Sequence, residues 1–448
     1  MTFSGAGSAA LGAPSAPAAS VGQVTVQPDT IHVPRSATAA PPTTAQCEES
    51  FGIACYVPSQ IRAAYNLPAL YKKGGTGAGV TIMIVDPFGS PTIKADLAAF
   101  DKQFGLNAPP KFTIIAPDGK IPPFNPKNAG MVGWAGETSL DVEYAHALAP
   151  AANILLVETP VSETEGQAGF PQIVQAEKYA LAHYKVGVIS QSFSATEETF
   201  ANEAELAPLR AAYTDAESHN VTVLAGTGDD GATNDEANGT TLYSKRVVGW
   251  PATDPLVTAV GGTQLVGNGS GYTSVAWNDT YDQTFLQYWT GSTKPSPFST
   301  GGGMSEFFSR PSWQNSVSKV TAGHRGVPDI SMSAACNGAV QVYSSYTFKG
   351  WSLVCGTSEA TPEFAAVVAI ADQVAGHSLG LINPTLYKLE SKHAAGLVDV
   401  TSGNNTVAFT QGGKQVTVKG YGSTPGYDLV TGIGTVNALQ LTYELAGK

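Results

Sequence analysis

From residue 80 onward the chain alternates short apolar runs with helical patterns, and this alternation limits the folds open to it. Val80-Thr-Ile-Met-Ile-Val85 is apolar at nearly every position. Side chains on a strand point alternately to opposite faces, so such a run must be buried on both sides. Similar runs follow at Phe112–Ile115, Asn153–Val157, Val186–Ser190, Val221–Leu224 and Leu256–Val260. Between the first two, Ile93, Leu97, Phe100 and Phe104 recur at helical spacing and stop at Gly105. Further helical patterns lie around Glu137–Leu148, Ile173–His183 and Glu203–His219. Strand–helix alternation of this kind predicts a mostly parallel sheet covered by helices on both faces. Functional groups on such sheets gather at the strand C-termini. Ahead of this region, Ile61–Tyr71 reads as a short helix. Residues 261–303 read as loop-rich, and the last sixty residues hold Gly/Asn-rich turns and short strands. No internal repeat is present.

The chain has 448 residues, 42% of them hydrophobic, enough for one large α/β domain or two smaller ones. Residues 1–45, rich in Ala, Pro, Ser and Thr, read as a flexible linker or processing remnant, and residues 46–448 as the folded unit. Met1 to Ser20 lack the basic start and apolar core of a signal peptide, so an exported form would already have lost its leader. A formal charge of -12 repels phosphate backbones and argues against nucleic acid as a partner. No apolar run is long enough to span a bilayer. Sparse charge with abundant Gly, Ser and Thr suits an extracellular or acidic setting. The four cysteines allow two disulfides, Cys47–Cys55 and Cys336–Cys355, with free buried thiols or a metal site as alternatives.

Four stretches carry chemistry. In Val354-Cys-Gly-Thr-Ser358-Glu-Ala-Thr-Pro362, an apolar strand from Trp351 runs into Gly-Thr-Ser and then a long apolar helix from about Pro362 through Ala375. A serine there stands exposed at the positive end of a helix, where N–H groups face a developing oxyanion. The alternative is a helix N-cap at Thr357 or Ser358. Pro362 is expected in the first turn, where its missing donor costs nothing. Glu137 and Asp141, four apart, share one helix face beside the apolar stripe of Leu140, Tyr144 and Leu148. Close, buried carboxyls raise each other's pKa and suit acid/base work; the alternative is a solvated acidic helix start. Gly228-Asp229-Asp230-Gly231 follows a strand, where a site is expected, although an Asp-Gly turn would look the same. In the tail, Asp399 and Asp428, with Gly-flanked carbonyls, suit a hard cation, or are two unrelated turns.

Together these motifs resemble the sedolisin family, the serine-carboxyl peptidases, over roughly residues 50–445. They are Glu137-x-x-x-Asp141 with Val-Glu-Tyr-Ala-His-Ala-Leu-Ala-Pro150, Gly228-Asp-Asp-Gly231, Ser299-Thr-Gly-Gly-Gly-Met-Ser305 with Pro311-Ser-Trp-Gln314, Arg325-Gly-Val-Pro-Asp329, Gly356-Thr-Ser358 with Pro362, and Gly426-Tyr-Asp-Leu-Val-Thr-Gly-Ile-Gly434. The resemblance implies a subtilisin-like three-layer fold, its central sheet of about seven strands flanked by helices, with a C-terminal calcium-binding loop region. It implies Ser358 as nucleophile, Glu137 as general base, Asp141 as its hydrogen-bonded orienter and Asp229 in the oxyanion hole. It implies one Ca2+, bound by the carboxylates of Asp399 and Asp428 and carbonyls of Val400, Thr424 and Gly426. Ser190, Ser192 and Phe193 would line the substrate cleft. Protein or peptide substrates, a propeptide removed or absent here, secretion and a monomeric state are also implied. Three positions depart from the family pattern: Cys355 for Ser, which would tie the turn to Cys336, Thr424 for Gly in the calcium loop, and Ser194 for Gly beside the cleft.

The implied chemistry is coherent on its own terms. A carboxylate base titrates lower than histidine, and an aspartic acid donates to an oxyanion only while protonated, so activity is expected at acid pH. Two rivals remain. A conventional subtilisin would use Asp86, which ends the first strand, and His146; no His-Gly-Thr-His signature exists, and a packing role is expected for His146. A catalytically silent binding module on the same fold is the other.

Overall fold

The computed structural model describes residues 29–32, 40–269 and 271–448. Met1–Ser20, read as lacking the features of a signal peptide, lies outside these residues, as does most of the expected linker. Of that linker, Asp29–His32 is a strand antiparallel to the one that leads to Ser358, and Thr44–Phe51 is a helix capped by Thr43.

The central sheet is built from β1 (Thr81–Val85), β2 (Phe112–Ile115), β3 (Asn153–Val157), β4 (Val188–Gln191), β5 (Thr222–Gly226), β6 (Thr258–Gly267), β7 (Tyr272–Ala276) and β8 (Ile330–Ser333). Its order is β7-β6-β5-β4-β1-β3-β2, with β8 also pairing to β6. Only β7 runs antiparallel. The alternation of faces is visible residue by residue. Ile82, Ile84, Ile154, Leu156 and Leu224 enter one core. Met83, Val85, Leu155, Val157 and Val223 enter the other. The first core is closed by α1 (Ile93–Phe104), α2 (Ala129–Leu148) and α4 (Thr357–Ala375), the second by α3 (Phe170–His183) and the shorter helix Ala211–Ser218.

The second sheet contains β9 (Ala339–Ser344) and β10 (Gly350–Cys355), antiparallel to each other, and β10 delivers the chain to the Ser358 turn. Two disulfides, Cys47–Cys55 and Cys336–Cys355, close with no free cysteine among the described residues. The second ties the end of β10 to the segment between β8 and β9. No described helix is long and apolar enough to cross a membrane.

Several elements differ from the sequence expectation. The Ile61–Tyr71 helix is two helices, Pro58–Ala64 and Leu67–Tyr71, split where Asn66 takes a left-handed φ of 61° before Pro68. The Glu203–His219 helix is likewise broken, into Glu203–Leu206 and Ala211–Ser218, with Pro208 in the gap. The region 261–303 holds the rest of β6, all of β7 and a helix, Gln283–Trp289. Helix α2 starts at Ala129, with Asn128 accepting a bond from the Met131 amide, so Glu137 lies well inside it. Helix α4 starts at Thr357, which makes Pro362 its sixth residue rather than a member of the first turn. Pro362 therefore withholds the N–H that would bond the Ser358 carbonyl.

Candidate active site

The C-terminal ends of β1, β4 and β5 carry Asp86, Ser192 and Asp229, and the N-terminus of α4 carries Ser358. These are the three central strands, so their ends share one crevice. Helix α2 lies against α4 and brings Glu137 and Asp141 to it, both fully buried. Burial rules out the solvated acidic helix start.

Three carboxyls thus meet without a cation. Burial, then the neighbouring Asp86, pushes Glu137 well above the usual carboxylate range. The Ser358 and Ser192 hydroxyls act the other way, favouring ionised Glu137. Burial lifts Asp86 to about 7, opposed by the Thr138 hydroxyl and the Asp141 carboxyl. Asp141 is raised by burial, then by Asp86 and Glu137. The Ser192 hydroxyl donates to Asp141 Oδ1 at 3.0 Å. Asp86 opposes the ionisation of Asp141, and neither Asp86 oxygen makes a hydrogen bond of ordinary geometry. Asp141 makes no hydrogen bond to Glu137; it faces that residue through its charge. Mutual repulsion limits the charge the cluster can hold, and the Ser358 and Ser192 hydroxyls favour the ionised form of Glu137.

Asp229 stands on the other side of Ser358. Its Oδ1 accepts from the Thr357 amide at 2.7 Å and the Thr357 hydroxyl at 2.9 Å. The Gly228 amide donates to the same hydroxyl at 3.1 Å. Thr357 is therefore a clamp on Asp229, and the helix N-cap is Gly356, with no side-chain cap bond. Gly356 has φ 118°, and a Cβ there would lie 2.4 Å from Asp229 Oδ2. The missing side chain lets Oδ2 lie over the turn, free of the Thr357 bonds. Burial raises Asp229 to about 6, against the pull of those bonds.

Ser192, Phe193, Asp229 and Ser358 line one open pocket. Ser190 is buried in β4 and is not among the lining residues. His146 Nε2 bonds the Asn107 carbonyl at 2.9 Å and lies 3.2 Å from Asp101 Oδ1, a packing role away from Ser358. Asp86, read in the sequence only as part of the subtilisin rival, belongs to the carboxyl cluster. Its signal was a carboxylate ending the central strand. The tail residues do meet: Gly426 N donates to Asp399 Oδ2 and Thr424 N to Asp428 Oδ2, both at 2.9 Å. Asp428 Oδ1 accepts from the Val430 and Thr431 amides, and the Thr431 hydroxyl reaches the Val400 carbonyl at 3.5 Å. No group of three or more His, Cys, Asp or Glu able to hold a metal occurs among the described residues.

The fold and site define an α/β protein of subtilisin-like architecture in which a serine at a strand-to-helix turn faces buried carboxyls. A family model described as the subtilase family matches residues 127–419. Kumamolisin of Bacillus sp. (strain MN-32) is 33% identical over 400 residues, 87% of this chain and 63% of the relative. Human tripeptidyl-peptidase 1 is 28% identical over 401 residues, 85% of this chain and 62% of the relative. The solved structure of Pseudomonas sedolisin, a serine-carboxyl proteinase complexed with two molecules of pseudo-iodotyrostatin, superposes with a TM-score of 0.72 at 27% identity, covering 88% of this chain and 99% of that one. The chain belongs to the subtilase family, in its sedolisin branch. It spans less than two thirds of the length of kumamolisin and tripeptidyl-peptidase 1.

Proposed function

We propose that this protein is an acid-active serine-carboxyl peptidase. The observation that carries the reading is the crevice shared by Ser358, at the N-terminus of α4, and the buried Glu137 of α2, where the Ser358 hydroxyl favours the ionised carboxyl, while His146 is turned away to Asp101 and Asn107. Glu137 takes the Ser358 proton as Oγ bonds to the carbonyl carbon of the scissile peptide. The carbonyl electrons move onto oxygen, which accepts a hydrogen bond from protonated Asp229 through Oδ2. The tetrahedral species collapses, Glu137–H protonates the leaving amine, and an acyl-serine remains. Water then attacks in the same manner, with Glu137 again as base. Asp141, bonded by the Ser192 hydroxyl and raised by burial and its acidic neighbours, stays protonated and leaves the charge to Glu137.

Hydrolysis of casein or a peptide library at pH 3–8 tests this. Ser358→Ala and Glu137→Ala should each abolish cleavage, and His146→Ala should keep it. Cleavage that survives Glu137→Ala and dies with His146→Ala would install the conventional subtilisin mechanism. A calcium-loaded, folded protein with no cleavage at any of these pH values would leave a silent binding module.

The donors in the tail fit one Ca2+ in kind: carboxylates of Asp399 and Asp428 and backbone carbonyls of Val400, Thr424 and Gly426. Bound there, the ion would hold the two turns together and supply no chemistry to Ser358. A chelator should then lower the melting temperature, and Asp428→Asn should remove that response. Residues 46–448 act in this reading as one peptidase unit after a linker at 1–45. The two disulfides accord with an oxidising, extracellular destination. A removable propeptide and a monomeric enzyme complete the proposal.

A further inference from the structure

The far end of α4 borders a second cavity. Asp372 lies about four turns along that helix from Ser358, or about 21 Å. The cavity sits where β1 and β4 begin, at the edge of the sheet opposite the crevice. Thr81, Gly187, Asp372, Lys185 and His377 are on its wall. Asp372 is 2% exposed. Its Oδ1 accepts from the Leu379 amide at 2.9 Å, while Oδ2 is buried with no hydrogen-bond partner. A Cβ at Gly187 would lie 2.6 Å from Oδ2, so glycine there lets the carboxyl reach the strand entry. Burial raises Asp372 to about 7, against the pull of the Leu379 amide. Lys185 and His377 are exposed. No ion pair among the described residues includes Asp372, Lys185 or His377. Gln373, on the same wall, is spent on the loop before β1: it accepts from the Thr76 and Gly77 amides and donates to the Gly74 carbonyl.

We propose that this cavity binds a small zwitterion of the α-amino acid or short-peptide kind, its ammonium on Asp372 Oδ2 and its carboxylate on Lys185. A carboxyl and a lysine that share a wall without reaching each other leave both charges to a guest that spans them. A buried carboxyl oxygen without a donor costs free energy, and an ammonium supplies that donor in a charge-assisted bond. The ammonium also draws the carboxyl toward its ionised form. The C-terminus of α4, capped by Gly376, adds partial negative charge at the same end. On the other side, the long stem of Lys185 lets its charge follow the guest's carboxylate, and a protonated His377 adds a second positive group. A single carboxylate offers too few oxygens for a metal ion, and no metal-binding group of side chains occurs among the described residues. The proposal goes beyond the peptidase reading and does not depend on it, since the Ser358 crevice lies at the opposite end of the helix.

Glycylglycine would be titrated into the Ser358→Ala protein at pH 7 by calorimetry. Beside it would run N-acetylglycine, which lacks the ammonium, and glycinamide, which lacks the carboxylate. Glycylglycine should bind about tenfold or more tighter than either. Asp372→Asn, which keeps an acceptor for the Leu379 amide, should weaken glycylglycine about tenfold and leave N-acetylglycine unchanged. Lys185→Ala, at an exposed position, should weaken glycylglycine and leave glycinamide unchanged; it decides alone if Asp372→Asn does not fold. Absence of glycylglycine binding at millimolar concentration overturns the proposal, as does equal binding of the three probes. Glycylglycine binding that neither substitution alters would place the guest elsewhere, the Ser358 crevice included, and overturn it too. None of these outcomes touches the cleavage assays, so the peptidase reading stands or falls separately.

Discussion

Two pairs of carboxyls in this molecule share one spacing and have different surroundings. Glu137 and Asp141 lie four apart on α2, and Glu359 and Glu363 lie four apart on α4. All four are fully buried, and burial raises all four. The first pair faces hydroxyls and a third acid: Ser358, Ser192 and Asp86. The second points into the core, where Ser333 favours ionised Glu359, Glu359 opposes ionisation of Glu363, and Tyr65 and Tyr144 are close by. The four oxygens of Glu359 and Glu363, like both oxygens of Glu137, make no hydrogen bond of ordinary geometry, so what separates the pairs is the open crevice at Ser358 beside the first. Spacing alone therefore does not make a catalytic pair. A carboxyl becomes a base when a hydroxyl at an open crevice is set against it; in the core it remains a neutral acid.

This contrast can be broken most sharply by near-isosteric substitution. Glu137→Gln should lower kcat by roughly a thousandfold, with little loss of melting temperature at pH 4. Glu363→Gln should leave kcat within a few-fold of wild type. Equal losses in the two variants, measured on one peptide, would erase the distinction between the pairs.

The next effect lies in the activity profile. In the proposed reaction Asp229 donates to the oxyanion only while protonated, and burial raises it to about 6. Activity should therefore fall as pH rises through about 6. Asp229→Asn, which keeps a donor at every pH, should be slower at its optimum and lose that limb. A wild-type profile peaking at pH 8 would refute the role of Asp229.

Stability should show what the core pair does. Glu359 and Glu363 bind protons more tightly folded than unfolded, so their contribution is full below the unfolded carboxyl range near 4.5. It declines as pH rises from there toward their raised folded values. The double variant Glu359→Gln/Glu363→Gln should hold its melting temperature further toward neutrality than wild type. Parallel curves for the two proteins would show that other buried carboxyls dominate.

The smallest effect concerns the support of the turn that carries Ser358. Removing the Cys336–Cys355 link, a loop of 19 residues, should cost about 3 kcal/mol of stability through the unfolded chain. Chemical denaturation of Cys336→Ser/Cys355→Ser would measure it. Retained activity at pH 4 would place the turn geometry in β10 and α4 rather than in the bridge.

Much of this was legible in the sequence because it depends on local geometry. The continuous apolar runs became strands at Phe112–Ile115 and Asn153–Val157 with the expected bounds, since a period of two is set by the backbone itself. The four-residue spacing put Glu137 and Asp141 on one face for the same reason. The serine turn followed from a strand running into Gly-Thr-Ser and an apolar helix. Failures near Asn66 and Pro208 were also local, where a left-handed residue or a proline overrode apolar periodicity.

What only the tertiary structure decided is what each side chain faces. Asp86 joins a helix some fifty residues later because β1 is one of the three central strands of the sheet. Ser192 reaches Asp141, and Thr357 clamps Asp229, across separations of 51 and 128 residues. Those separations carry no periodic signal; strand order and helix packing close them. The sequence determined that carboxyls and a serine were present at the right kinds of element. The sheet determined which carboxyl meets the serine, since pKa and proton sharing depend on neighbours in space rather than on neighbours in the chain.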